Sequence, residues 1–168
     1  IPLAGPIGDF TFQVTDIEPG LLFIFAITSL SVYGAVLAGT SSNSKFALLG
    51  GTRVSAQMIS YEVFMGLALM GIFMVYGSTR VSEIVDGQNE YWFGSLIPMW
   101  GVFTQPLGFL LFFTALIAET KRAPFDAPEG ESEIVAGYFL EYSGMRWSAF
   151  MLAEYVALVG VASLITTL

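Results

Sequence analysis

The sequence predicts an all-α fold, a polytopic transmembrane helix bundle with four spanning helices and a structured acidic loop on the cytoplasmic side. Three observations lead there. Of 168 residues, 55% are hydrophobic and only 12% charged, about half the charged fraction of an ordinary soluble domain. Four apolar runs each reach about 20 residues, which at ~1.5 Å per residue matches the ~30 Å hydrocarbon core of a bilayer. One connection, ETKRAPFDAPEGESEIVAGYFLEYSG at 119–144, holds six of the fourteen acidic residues.

The runs cover 21–40, 57–77, 96–118 and 147–168 and form a single transmembrane domain. In the first, Gly34-x-x-x-Ala38 and Ala35-x-x-x-Gly39 are spaced for close helix approach, as is Ala149-x-x-x-Ala153 in the fourth. The third contains Pro98 and Pro106, and a kink is expected near Pro106. Trp92, Trp100 and Trp147 near segment ends suit an aromatic belt. The chain opens at Ile1 without an initiator Met and stops while still apolar, so a fragment of a larger subunit is expected.

Composition also removes classes of chemistry. A net charge of −8 with six Lys and Arg argues against nucleic acid and against a polybasic lipid patch. With neither Cys nor His, the chain offers no typical ligands for an iron–sulfur cluster or zinc and no Ser-His or Cys-His nucleophile pair. No metal site is expected. Gly50-Gly51-Thr52 is too short for a phosphate loop and reads as a turn.

Basic residues orient the bundle. Lys45 and Arg53 fall in the 41–56 connection and Lys121, Arg122 and Arg146 in 119–146, against Arg80 alone in 78–95 and none in 1–20. The positive-inside rule therefore places 41–56 and 119–146 in the cytoplasm or an organelle matrix. Glu62 and Glu154 then lie about 8–10 Å below that surface at helical rise. Neither apolar run contains Lys or Arg, and a lone carboxylate at such depth costs about 2–3 kcal/mol on insertion scales. Each must face a polar cavity, gain a partner from another helix or hold a proton. Glu119, closing the third run, falls near the same level, and three acids on separate helices suggest a polar pathway opening inward.

The loop acids crowd however the chain runs. An extended backbone puts Glu129, Glu131 and Glu133 on one face, whereas a helix aligns only Glu129 and Glu133. Pro124 and Pro128 favour an extended start, and SEIVAGYFLEY, from Ser132 on, is suited to a short helix. Clustered carboxylates titrate as a group, which fits proton exchange or conformational coupling. Interleaved Phe125, Ile134, Val135, Tyr138, Phe139, Leu140 and Tyr142 give the loop a reason to pack rather than float.

AETKRAPFDAPEGESEIVAGYFLEYSG closely resembles the signature loop of the family of quinone-site membrane subunits of respiratory complex I. SNSKFALLGGTRVSAQMISYEV at 42–63 resembles the family's inner connection and its Ser-Tyr-Glu helix, and MLAEY at 151–155 its following acid-bearing helix. The resemblance implies a part of a proton-pumping NADH:quinone oxidoreductase, a translocase of the respiratory chain, with ubiquinone or another quinone as substrate. It implies that Arg122, Phe125 and Asp126 border the quinone chamber and that Glu129, Glu131 and Glu133 form the coupling cluster. Glu62, Glu119 and Glu154 would belong to the proton route. Iron–sulfur clusters and FMN would sit in other subunits, with none bound covalently here. Partners would be the quinone-site hydrophilic subunits, adjacent membrane subunits leading to antiporter-like subunits, and the lipid bilayer. The implied location is a bacterial cytoplasmic or mitochondrial inner membrane. Related subunits occur in membrane-bound hydrogenases, formate hydrogenlyases and ferredoxin-using relatives, which form the alternative.

The basic asymmetry gives a topological expectation. In sealed vesicles, single Cys probes replacing Ser42 or Ser132 should react from the cytoplasmic side only; labelling of the Ser132 probe from outside contradicts this arrangement.

Overall fold

The computed structural model describes residues 17–92, 97–126 and 137–168. Glu129, Glu131 and Glu133 lie outside the described residues, so the arrangement expected for them is not seen.

Helices α1 (Gly20–Ser29) and α2 (Ser31–Ser41) meet at Leu30, which keeps right-handed helical angles, and together they make one span of 22 residues. This is the first expected segment. After a short turn in which Asn43 takes a positive φ of 53°, helix α3 runs from Lys45 to Tyr76. It ends on Gly77 at φ 67°, whose N–H bonds back to the Phe73 carbonyl. A left-handed cap residue of this kind strains any side chain with a Cβ, which is why glycine suits it. At 32 residues α3 is about 48 Å long. It starts twelve residues before the expected 57, so Lys45 and Arg53 ride on the helix rather than in a loop. Gly50 and Gly51 are buried inside α3, which corrects their reading as a turn.

Next comes α4 (Val81–Gln88), which the apolar runs did not reveal. Val81 and Ile84 are buried, whereas Glu83 and Asp86 are exposed. The Gln88 amide nitrogen donates to the carbonyls of Thr167 and Leu168 at 3.1 and 3.3 Å, tying α4 to the end of the last helix. A two-residue antiparallel pair then joins β1 (Tyr91–Trp92) to β2 (Ile97–Pro98), with Tyr91 opposite Pro98.

The third apolar segment is not one helix. A single turn, α5 (Gly101–Thr104), stops at Gln105, and α6 (Pro106–Glu119) begins afresh. Proline has no N–H to continue a preceding helix, but at the first position of a new one it forfeits nothing. The expected kink is therefore a break. At 14 residues α6 is about 21 Å long, shorter than the ~30 Å core. The Gln105 amide spans to α3, donating to the Gly71 carbonyl at 2.9 Å. After a 3-10 turn at Gly137–Phe139, the last helix, α7 (Met145–Thr167), completes the chain. Among the described residues, the spans Gly20–Ser41, Lys45–Tyr76 and Met145–Thr167 are long and apolar enough to cross a membrane.

Two apolar clusters lie along α3. Val54 and Met58 pack with Val32, Ala35, Ala38 and the 3-10 turn's Tyr138 and Phe139. Met65, Leu69 and Ile72 pack with Leu21 of α1, Ile84 of α4, Phe112 and Leu116 of α6 and Leu164 of α7. In lipid, helices gain little from hydrophobic burial against one another, so close backbone approach matters more. Ala35 and Gly39 of α2 supply it, facing Ala47 and Gly51 of α3. An added Cβ on Gly39 would sit 2.7 Å from the Ala47 carbonyl oxygen and 3.3 Å from the Gly51 Cα. The companion spacing does not behave alike, since a Cβ on Gly34 meets nothing within 4 Å, and Ala149 and Ala153 are exposed.

Gly39→Ala must push two backbones apart and should destabilise by about 1–3 kcal/mol. Gly34→Ala should be neutral or stabilise by about 0.5–1 kcal/mol through helix propensity. Thermal unfolding of the two variants compares them, and equal melting temperatures would contradict the α2–α3 contact.

Candidate functional site

Between the two apolar clusters, α3 carries a polar step. Tyr61 and Glu62 lie between Met58 of one cluster and Met65 of the other on the same helix, and Gln57 comes just before Met58. Gln57 uses both amide hydrogens, donating to the Ala118 carbonyl at the end of α6 (3.1 Å) and to the Phe125 carbonyl in the loop (2.8 Å). One turn on, the Tyr61 ring meets the Phe125 ring edge-on at 5.5 Å. The start of the acidic loop is thereby held against α3 at two successive turns.

Glu119 closes α6 beside this contact. Its Oε2 is shut off from solvent and accepts no hydrogen bond from any described residue. The carboxyl group feels the negative charge of Glu62 and the positive charge of Lys121. A buried carboxylate oxygen without a donor is costly and calls for an explanation. Glu62 itself is half-buried.

Glu154, on α7, has found a partner. The Arg122 guanidinium lies 3.3 Å from its Oε1 and 5.4 Å from the centre of the Tyr155 ring. The Glu154 side chain is 14% exposed and that of Arg122 44%, so the cation reaches from the loop onto a largely enclosed anion. Of the ways to accommodate a carboxylate at this position, the protein uses a partner from another element. Reading the apolar run alone missed it, because the cation lies on the loop rather than on a helix.

The far end of the loop is bolted down by aromatic rings. Lys121 Nζ donates to the Tyr138 hydroxyl at 2.9 Å. The Tyr138 ring lies edge-on to Phe150 of α7 at 5.7 Å, and the Tyr142 ring to the same Phe150 at 5.1 Å. The Tyr142 hydroxyl donates to the Ala38 carbonyl at 3.1 Å and lies 2.6 Å from Ser41 Oγ, both on α2. The 3-10 turn needs Gly50 beneath it, for a Cβ there would stand 2.7 Å from the Tyr138 nitrogen. Of SEIVAGYFLEY, the described part is this turn and not a longer helix.

The structure thus pairs Arg122 of the loop with Glu154 of α7, sets Glu119 of α6 within electrostatic reach of Glu62 of α3, and seats Phe125 against Tyr61. Asp126 follows Phe125 and is exposed. Gln57 and Tyr61 were missed as contributors. Their signal was faint, a polar amide five residues and a phenol one residue before an intramembrane acid.

A family model described as NADH dehydrogenase matches residues 1–168. The chain is 48% identical over 157 residues to the H subunit of the NADH-quinone oxidoreductase of Bacillus cytotoxicus, covering 94% of this chain and 45% of that relative. It is 53% identical over 155 residues to NADH-quinone oxidoreductase subunit 8 of Rhodothermus marinus, covering 92% and 45%. The chain therefore spans less than half the length of these curated relatives.

The Arg122–Glu154 pair is open to a double-mutant cycle with Arg122→Gln and Glu154→Gln. Because Arg122 is substantially solvated, the coupling in thermal stability should be about 0.5–1 kcal/mol. Strict additivity would show that the two charges do not interact.

Proposed function

Since the chain belongs to the NADH dehydrogenase family, we propose that it forms part of the membrane subunit of a proton-pumping NADH:quinone oxidoreductase, at the joint between quinone reduction and proton movement. The observation that carries this reading is the reach of Arg122 from the loop onto Glu154, and the like charges of Glu62 and Glu119 add to it. The relatives named above are NADH-quinone oxidoreductase subunits, and no observation favours the hydrogenase-linked alternative.

Quinone is the substrate, and its full reduction takes two electrons and two protons. With neither Cys nor His, this chain offers no typical ligands for an iron–sulfur cluster, so the electrons come from a cluster in a neighbouring hydrophilic subunit, with FMN further upstream. Its own residues handle charge. In this reading Phe125 and Asp126 belong to the quinone side of the loop, and Arg122 is the pivot. Drawn towards negative charge developing on a reduced quinone, Arg122 leaves Glu154 without its counter-charge on an apolar helix. Proton uptake by Glu154 then offsets the cost of an unpaired anion. Glu62 and Glu119 pass protons on towards the adjacent membrane subunits and the antiporter-like subunits beyond. Glu129, Glu131 and Glu133 couple this step to the hydrophilic arm, with the loop facing the cytoplasm or matrix.

The test is made on the assembled complex. Glu62→Gln keeps shape and hydrogen bonding but not ionisation, and should impair proton pumping and coupled quinone turnover. Glu62→Asp should largely preserve both. Ferricyanide reduction by the hydrophilic arm should be normal in each. Equal, near-normal pumping by the two variants would remove Glu62 from the proton route.

A further inference from the structure

We propose that Gln57 is a positioning residue that holds the mouth of the acidic loop in register with Glu62 and Glu119. The inference rests on the functional reading above and deepens it. An amide nitrogen has two hydrogens, and Gln57 spends both on carbonyls belonging to different parts of the chain, Ala118 in the last turn of α6 and Phe125 in the loop. Between those acceptors lie Glu119, Lys121 and Arg122, so the bridge closes the bend that carries all three. Tyr61, one turn further along α3, packs on the ring of the same Phe125. Glu62 follows Tyr61 directly. A shift of the loop mouth therefore changes the spacing of Glu62 from Glu119 and of Arg122 from Glu154 together.

Two residues of similar length separate the shape of Gln57 from its donors. Met matches Gln in length but donates nothing. Glu matches it in shape, yet its ionised carboxylate presents two acceptors to two carbonyl oxygens, and its protonated form restores one donor. Among the described residues, the charged groups on the elements that meet near position 57 are Arg53 and Glu62 on α3, Glu119 on α6, and Lys121, Arg122 and Asp126 on the loop, with Glu154 of α7 paired to Arg122. Expressing each variant's rate relative to wild type at the same pH removes the titration of these shared groups.

The experiment measures quinone reduction by the assembled complex carrying Gln57→Met or Gln57→Glu, with ferricyanide reduction as the control for the hydrophilic arm. Gln57→Met should lower kcat/KM for quinone about tenfold at every pH, since misplacing a reacting framework by ~1 Å costs up to about a hundredfold. Gln57→Glu should match that loss at neutral and alkaline pH and recover towards wild type as pH falls. A residue that merely fills space would give no such recovery. Values within about twofold of wild type for Gln57→Met, with assembly intact, would overturn the proposal. If Gln57→Met does not assemble, the pH profile of Gln57→Glu decides, a flat profile overturning the proposal and acid recovery supporting it. Amide hydrogen exchange over 119–126 separates this proposal from the functional reading. Faster exchange in the variants supports the role of Gln57 even if the wild-type complex lacks quinone reductase activity, and unchanged exchange overturns it.

Discussion

A helix of 32 residues is about 48 Å long, whereas the hydrocarbon core of a bilayer is about 30 Å thick. The excess length of α3 gives the rest of the chain something to fasten to. Its first turns carry Ala47, Gly50 and Gly51, where a bare backbone lets α2 and the 3-10 turn come into contact. Further along, Met65, Leu69 and Ile72 receive α1, α4, α6 and α7. The polar step at Gln57, Tyr61 and Glu62 falls between these two apolar regions, and the loop docks there. Shortening α3 to membrane length would remove the post on which the loop is mounted.

Acids inside an apolar bundle persist only where something compensates them. Here the compensation is uneven. Glu154 has Arg122, borrowed from the loop, whereas Glu119 keeps an oxygen that no described residue satisfies. Glu62 and Glu119 act on each other through like charge. A fully satisfied network would be more stable and less responsive. The observed one leaves charge balance dependent on where a single half-exposed arginine lies. Under the proposed function, this dependence is what couples loop position to the state of the acids.

Hydropathy made the bundle legible and located the first and last spans to within two residues, because both helices are apolar throughout. It failed at the start of α3, where Lys45, Thr52, Arg53 and Ser55 lower the mean but leave helical hydrogen bonding untouched. It failed again at 96–118, where the residues are apolar enough to span but Pro106 cannot continue the helix begun at Gly101. The acids at 62, 119 and 154 were visible as charges out of place. The partner of Glu154 was not, since the 3.3 Å contact between Arg122 and Glu154 joins residues on a loop and a distant helix, and no local pattern encodes it. Likewise, Tyr138 and Tyr142 were legible as residues that should pack, but not as the bolts joining α2, α3 and α7.

The central claim is that a loop mounted on α3 sets the pairing of the intramembrane acids. A single-particle structure of the assembled complex, resolved well enough to place side chains, measures this directly. The account predicts the Gln57 amide between the Ala118 and Phe125 carbonyls and the Arg122 guanidinium against Glu154, near the 3.3 Å separation found here. Gln57 and Glu62 turned towards lipid, with Arg122 remote from Glu154, would contradict it.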